Sequence, residues 1–142
     1  MPAVDVIDQT YVAVPPRALR KVLCVEAVWA EVVPDLQLAC FEDRGLRGKR
    51  WTVSGALDGT AEVWLEELAE GTVVHVFLQA DPATPPRSER ARVRLDRAYR
   101  ERLKRWVTDV RDTLDAEREV GVAPAATEHA ARGRAGADRS AR

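Results

Sequence analysis

Residues 81–114 read DPATPPRSERARVRLDRAYRERLKRWVTDVRDTL, and the hydrophobic pattern of the chain changes within this stretch. Before Pro85-Pro86, apolar residues alternate with polar ones, as they do in β-strands. After the two prolines, apolar residues recur every three or four positions, at Leu95, Tyr99, Leu103, Trp106, Val110 and Leu114. That period predicts one long amphipathic helix over residues 87–119. The strands before it are then expected to form a sheet that this helix covers.

Four strand-like runs precede the helix, at about 36–42, 49–57, 60–68 and 72–80. Between them lie residues with turn chemistry, Asp43-Arg44-Gly45, Asp58-Gly59 and Glu70-Gly71. Strands joined by such short turns pair antiparallel, because a parallel crossover needs about a dozen residues. Upstream, the sequence predicts a strand over 4–14 that Pro15-Pro16 stops. Two short helices should follow over 17–33, broken near Cys24–Glu26 and stopped by Pro34.

This order of elements resembles the START-related helix-grip superfamily (SRPBCC) of the polyketide cyclase/dehydrase and lipid-transfer type, over roughly residues 4–118. The resemblance rests on Val14-Pro15-Pro16 entering the first helix, Trp29 followed by Val33-Pro34-Asp35, the ladder Trp51–Thr60, Gly71-Thr72 opening the last strand, and the closing helix. It implies an α+β fold in which an antiparallel sheet of about five or six strands grips the C-terminal helix.

Length and composition predict a single domain over 1–119, followed by a disordered tail rich in Ala, Arg and Gly over 120–142. The resemblance implies that this domain is a START-like ligand-binding domain. No apolar run reaches the roughly 18 residues that span a bilayer, and residues 1–5 carry no signal-peptide pattern. We therefore predict a cytoplasmic protein without a membrane span. Of the 22 basic residues 19 are Arg, a bias typical of a GC-rich bacterial genome.

The two cysteines and two histidines are not arranged as metal ligands. Cys24 and Cys40 lie among apolar neighbours without CxxC or Cys/His spacing, so we interpret them as reduced core residues. His75 and His129 are far apart in the sequence and lack acidic companions at ligand spacing. We predict no metal and no cofactor.

Turn chemistry also predicts which residues share a face of the sheet. A two-residue turn at Asp58-Gly59 would pair Leu57 with Thr60, and one at Ala69-Glu70 would pair Leu68 with Gly71. One face would then carry Trp51, Val53, Glu62, Trp64, His75 and Phe77. The other would carry Thr52, Ser54, Ala61, Val63, Leu65, Val74, Val76 and Leu78.

We expect the face with the large rings to meet the helix, because rings left in water forfeit more burial than Val and Ala do. The resemblance implies the opposite, with Val74, Val76 and Leu78 inward and the aromatic face free for a partner. On the first interpretation, residues of both layers line a ligand cavity: Trp29, Trp51, Val53, Trp64, His75, Phe77, Tyr99, Leu103 and Trp106. Trp29, Tyr99 and Trp106 can equally be plain core anchors.

His75 and Glu62 are the candidate catalytic residues. They would lie diagonally on neighbouring strands, where an imidazole beside a carboxylate can act as a general base or orient a ligand carbonyl. The alternative is a packed, hydrogen-bonded histidine with Glu62 at a solvated edge. No third member of a triad is evident, so we expect binding rather than catalysis.

Residues 87–105 hold nine basic and three acidic side chains, a stripe that could bind polyanions. The alternative is a solvated helix face with i,i+4 pairs such as Asp96–Arg100 and Glu101–Arg105. Residues 1–80 carry a net charge of −5, so the domain has no overall basic footprint. We do not favour nucleic acid as a partner.

The leading hypothesis is binding or carriage of a hydrophobic small molecule (a lipid, polyketide or aromatic) in a cavity between sheet and helix. The alternative is a cyclase or dehydratase in which Glu62 and His75 move protons. A third hypothesis is an interaction module that forms a homodimer through a spare apolar sheet face. The first two differ in whether a His–carboxylate pair lies inside a cavity, and the third requires that the aromatic face be uncovered.

Overall fold

A computed structural model describes residues 1–121 and the side chains of residues 1–118. The elements follow in the predicted order: β1 (Val4–Val12), α1 (Pro16–Leu23), α2 (Glu26–Val32), β2 (Leu36–Asp43), a 3-10 turn (Gly45–Arg47), β3 (Gly48–Gly55), β4 (Asp58–Leu68), β5 (Gly71–Asp81) and α3 (Glu89–Gly121). The strands form one antiparallel sheet in the order β1-β5-β4-β3-β2. This α+β helix-grip arrangement confirms the predicted fold class. No helix within residues 1–121 is long and apolar enough to cross a membrane.

Prolines delimit the two short helices. Pro16 opens α1, where its missing N–H leaves no hydrogen bond unmade, and Pro15 before it is extended, with φ −72° and ψ 159°. α1 ends at Leu23 and α2 begins at Glu26, so the break falls where the sequence predicts it. α2 stops before Pro34, which disfavours helical backbone in the residue that precedes it.

Helix α3 begins and ends two residues later than predicted, at Glu89 and Gly121. Its start is fixed by Ser88, whose hydroxyl accepts a hydrogen bond from the Ala91 N–H at 3.1 Å, as an N-cap does. The helix therefore includes the first two residues of the segment predicted to be a disordered tail. The remainder of that segment, 122–142, lies outside the described residues.

The β4–β5 hairpin has the predicted register. Ala69-Glu70 connects the strands, and Leu68 pairs with Gly71. Trp64 therefore lies opposite His75, and the ladder continues with the same alternation as far as Asp58 and Asp81. This part of the sheet was predictable because a two-residue loop leaves the strands no freedom to slip.

The β3–β4 register is not the predicted one. Thr52 pairs with Thr60, which is offset by an odd number of residues from the predicted pairing of Leu57 with Thr60. An odd offset exchanges the two faces of a strand. Trp51 therefore lies on the face opposite Trp64, and the predicted grouping of the rings on one face is wrong.

The reason lies in which glycine makes the turn. Gly55 supplies the positive φ, 103°, and Leu57 turns into the core, where it is 1% exposed. Gly59 is already inside β4, where a Cβ atom would stand 2.1 Å from the carbonyl oxygen of Gln79. The glycine of Asp58-Gly59 thus permits close approach of β5 and does not make the turn.

The inner face of the sheet, which packs against the helices, is built from small and aliphatic side chains with Trp51 among them: Val4, Val6, Val12, Trp51, Val53, Ala61, Val63, Leu65, Val74, Val76, Leu78 and Ala80. The outer face carries Trp64, His75 and Phe77. The expectation that these rings meet the helix is wrong, and the arrangement that the resemblance implied is the one observed. Helix α3 brings its own large side chains to the inner face, so that face needs small partners.

One side of α3 binds the free backbone edge of β1. Four polar residues at every fourth position, named here the polar stripe, share that side: Arg92, Asp96, Arg100 and Lys104. The Arg92 and Arg100 guanidinium groups donate hydrogen bonds to the carbonyl oxygens of Ala3 and Asp5, at 3.2 and 2.9 Å. The Asp5 N–H donates to Asp96 Oδ1 at 2.8 Å. The stripe thereby supplies partners that a further strand would otherwise provide.

The polar stripe is also held together by charge. Arg100 pairs with Asp96 at 2.7 Å, as the i,i+4 spacing predicts. Lys104 Nζ lies 3.1 Å from Asp8 Oδ1 and donates a hydrogen bond to Thr10 Oγ1 at 3.0 Å. These contacts fix α3 over β1 along about three turns of the helix.

Asp96→Ala is expected to lower the free energy of unfolding by about 1–3 kcal/mol, because it leaves the Asp5 N–H and Arg100 without their acceptor. Asp96→Asn keeps an acceptor and should lose less. Glu101→Ala, at an exposed position of the same helix, is the matched control and should change stability by less than about 0.5 kcal/mol. Urea unfolding followed by circular dichroism measures all three. Equal losses in Asp96→Ala and Glu101→Ala would contradict the role of the stripe.

Candidate functional site

Three tryptophans from three different elements meet at the centre of the grip, and we name them the tryptophan cluster: Trp29 of α2, Trp51 of β3 and Trp106 of α3. The Trp29 ring centroid lies 5.2 Å from that of Trp51 and 5.1 Å from that of Trp106. The second pair is edge-to-face, with an interplanar angle of 75°. Trp29 Nε1 donates to the Leu23 carbonyl at 2.9 Å, so its one polar atom is satisfied inside the core.

A charged pair lies at the rim of the cluster. Glu26 Oε2 accepts hydrogen bonds from Trp51 Nε1 at 2.8 Å and from Lys49 Nζ at 3.1 Å. The Lys49 side chain is only 15% exposed, whereas Glu26 is 41% exposed. The hydrogen bond from Trp51, reinforced by Lys49, holds the pKa of Glu26 below its ordinary value despite partial burial. The rim therefore presents a carboxylate and an ammonium group beside an aromatic wall.

The buried thiol near this rim is not poised for chemistry. Cys24 is buried at the end of α1, and burial raises the pKa of its thiol to about 11. It is therefore protonated at neutral pH and a weak nucleophile. Cys40 is exposed on β2, and both cysteines are free thiols. Among residues 1–118, no group of three or more His, Cys, Asp or Glu side chains is placed to hold a metal ion.

A second set of hydrogen bonds, to the carboxylate of Asp35, also holds α3 in place. The Tyr99 hydroxyl donates to Asp35 Oδ2 at 2.5 Å, and Arg102 donates to Asp35 Oδ1 at 3.2 Å. Burial raises the pKa of Asp35, but these hydrogen bonds outweigh it, so the net pKa lies below the ordinary value. Burial and the same hydrogen bond raise the pKa of Tyr99. Tyr99 thus anchors α3 to the α2–β2 connection as a neutral donor.

The structure divides the residues predicted to line a cavity into two sets. Six share the core between the sheet and α3: Trp29, Trp51, Val53, Tyr99, Leu103 and Trp106. The other three, Trp64, His75 and Phe77, lie on the outer face and do not adjoin that core. A single site containing all nine is excluded, because the sheet itself separates the two sets.

The candidate catalytic residues are not brought together. His75 Nε2 contacts Glu66 Oε1 at 2.9 Å, whereas Glu62 is bound by Arg44 and lies 3.6 Å from Arg50 Nε. The His75 ring stacks on Trp64, with centroids 4.0 Å apart and planes 18° from parallel. A His–carboxylate pair therefore exists, but with a different carboxylate and on the outer face.

Sequence reasoning missed both charged residues of the rim. A signal for Lys49 was present, since it alternates with Trp51 and Val53 and therefore points to the same face. Reading it required the correct β3–β4 register. Glu26 carries a weaker signal, because it opens a helix directly after a break and its carboxylate suits a helix N-terminus.

Trp106→Ala is expected to cost about 3–5 kcal/mol of unfolding free energy, because the ring is 8% exposed and its removal leaves a cavity beside Trp29. Trp64→Ala, on the outer face, should cost less because its ring is only partly buried. Guanidinium unfolding of both variants makes the comparison. A loss for Trp106→Ala within about half a kcal/mol would place its ring outside the core.

Glu26→Gln should flatten the dependence of stability on pH below about pH 5. The folded pKa of Glu26 lies below its ordinary value of 4.5, so protonation favours the unfolded chain. The contribution of Glu26 is complete above pH 4.5 and is lost as pH falls through the lower folded pKa. Glu31→Gln, at an exposed position of the same helix, is the matched control for the loss of one carboxylate from α2. Thermal unfolding between about pH 3 and pH 7 tests this, and parallel profiles for parent and Glu26→Gln would refute it.

No protein-family model and no curated protein sequence matches the chain. Solved structures do. TTHA0849 from Thermus thermophilus superposes with a TM-score of 0.54 and 13% identity, over 80% of this chain and 98% of that one. DR_A0006 from Deinococcus radiodurans gives a TM-score of 0.47 and 19% identity, over 69% and 95%. Ara h 8.0201 gives 0.40 and 13%, over 74% and 97%. The likeness to TTHA0849 shows a shared fold.

Proposed function

We propose that the chain binds and carries an apolar small molecule, such as a lipid, a polyketide or another aromatic compound, between the sheet and α3. The tryptophan cluster is the observation that carries this proposal. It places three large rings at the junction of sheet, α2 and α3, and Trp106 retains 8% exposure where the other two have none. An apolar ligand would bind beside Trp106, where ring contacts are available at the surface of the core.

The attachment of α3 supports entry near the C-terminal part of the helix. The polar stripe and the bonds to Asp35 all come from residues 92–104. Beyond them α3 rests on apolar side chains, with Val107 buried and Val110 and Leu114 partly buried. Apolar contacts lack the directional geometry of hydrogen bonds. This half of the grip can therefore open while fewer hydrogen bonds are broken.

The rim can orient a ligand that has one polar end. Lys49 offers an ammonium donor and Glu26 a carboxylate acceptor, both beside the indole of Trp51. A few convergent polar groups at the edge of an apolar site are what sets the direction of a bound small molecule. A ligand with an apolar body and a single hydroxyl, carbonyl or carboxylate fits this description.

Carriage is favoured over catalysis by the positions of Glu62 and His75. The cyclase or dehydratase alternative needs that pair inside the grip, and both side chains face away from it. The order of elements also supports membership of the START-related superfamily. A cytoplasmic location and a GC-rich bacterial source remain predictions.

The proposal is tested with dansyl-undecanoic acid, a fluorescent fatty acid whose dansyl group accepts excitation energy from tryptophan. Trp64→Phe and Trp106→Phe form a matched pair, one on the outer face and one in the grip. The affinity for the probe, read from the rise in transferred dansyl emission during titration, should be kept in Trp64→Phe and weakened in Trp106→Phe, because the smaller ring removes contact area beside the ligand. Lys49→Met should weaken binding by about tenfold, because it removes the cation nearest the fatty-acid carboxylate.

Mass spectrometry of the probe recovered after incubation completes the test, and the fatty acid should be unchanged. Weakened binding in Trp64→Phe alone would move the binding site to the outer face. Absence of saturable binding by the parent, to this probe and to a neutral aromatic such as 2-naphthol, would overturn the proposal.

A further inference from the structure

The outer face of the sheet carries a contiguous group of apolar and aromatic side chains that no helix of residues 1–121 covers. We name it the outer patch: Ile7, Tyr11, Trp64, Val73, His75 and Phe77. The register places its members in direct cross-strand pairs, Ile7 with Phe77, Tyr11 with Val73 and His75 with Trp64. The patch therefore spans three adjacent strands, β1, β5 and β4.

The patch combines a rigid centre with exposed flanks. Trp64, His75 and Phe77 form a stack whose His75–Phe77 planes are 4° from parallel, and His75 is 5% exposed. On the flank, Ile7 is 52% and Tyr11 48% exposed. Side chains ordered by stacking lose little entropy on binding, and large apolar side chains left in water gain most from it. Ordered rings beside exposed apolar side chains are typical of the centre of a protein–protein interface.

The outer face carries charges of both signs around the patch. Glu62 is bound by Arg44 and lies near Arg50, which also contacts Glu42 at 3.0 Å. On the other flank Glu66 contacts His75. A polyanion would meet the two carboxylates on β4, and a strongly basic partner would meet the two guanidinium groups. A surface that carries both signs can place its carboxylates opposite the guanidinium groups of a second copy.

The size of the face also fits a second copy. Five strands at about 4.8 Å spacing, averaging about nine residues at about 3.4 Å rise, give a face of roughly 24 by 32 Å, or about 770 Å². A stable dimer buries about 800 Å² on each partner. We infer that the whole outer face of the sheet, with the outer patch as its apolar part, is the contact between two copies of this chain, related by a two-fold axis in the plane between the sheets.

This dimer leaves the grip open to ligand, because the two sites lie on opposite faces of the sheet. The dimer also does not depend on the proposed small-molecule function. The two proposals can therefore fail independently. The oligomeric state tests the dimer, and ligand binding tests the small-molecule function.

The test is sedimentation velocity of the full chain across a wide concentration range. The parent should dimerise, and Ile7→Glu and Tyr11→Glu should each raise the dissociation constant by roughly 30-fold or more, because each buries an unpaired charge. Both positions are half exposed in one copy, so the fold should survive, as circular dichroism will show. Leu46→Glu is the matched control: Leu46 is 56% exposed but lies in the 3-10 turn, outside the three strands of the patch, and its variant should dimerise like the parent.

Acrylamide quenching of tryptophan fluorescence gives an independent readout. Trp64 is partly exposed, whereas the other tryptophans are at most 8% exposed, so quenching of the monomer reports mainly on Trp64. Quenching should fall as the parent is concentrated and should not change with concentration in Ile7→Glu. A parent that stays monomeric at the highest concentration overturns the inference. A dimer that Ile7→Glu and Tyr11→Glu leave intact overturns it too, as does a monomer whose patch takes up the fluorescent fatty acid instead.

Discussion

The edge of β1 carries backbone N–H and C=O groups that no strand covers, and α3 supplies the partners of those of Asp5 and of the Ala3 carbonyl just before the strand. The polar stripe repeats every fourth residue, so its members lie on one side of α3 over residues 92–104. Their contacts with residues 3–10 fix the direction of α3 and its distance from the sheet. Trp106 is placed by the same constraint, since it lies just beyond the stripe and is carried over Trp29. The aromatic centre of the grip thus depends on a hydrogen-bonded edge several residues away.

Much of the fold could be predicted because its signals are local. The period change at Pro85-Pro86 indicated α3, and the two-residue loop at Ala69-Glu70 indicated the β4–β5 register. The β3–β4 register could not be derived from turn chemistry alone. Two glycines, Gly55 and Gly59, lie close together, and only the packing of the neighbouring strand decides which one turns the chain. A single odd offset then reversed the assignment of faces.

The candidate site was harder to predict than the fold, for a related reason. Tryptophans were recognised as anchors, but their number says nothing about the side of the sheet on which each lies. Trp51 and Trp64 belong to the two strands of one hairpin, yet the sheet separates them. The charged residues of the rim depend on tertiary placement as well, because Glu26 and Lys49 meet only when α2 folds over β3. The burial argument compared the rings of the sheet with Val and Ala, but it did not take into account the rings that α3 brings to the inner face.

The two edges of the sheet are protected in different ways. The β1 edge is occupied by α3, while the β2 edge is interrupted at Phe41, the extra residue of a bulge between Cys40 and Glu42. A strand from another molecule could not continue the ladder past that bulge without a gap in its hydrogen bonds. Addition of a strand is therefore hindered at both edges of the sheet formed by residues 4–81, which disfavours cross-β growth in concentrated solutions.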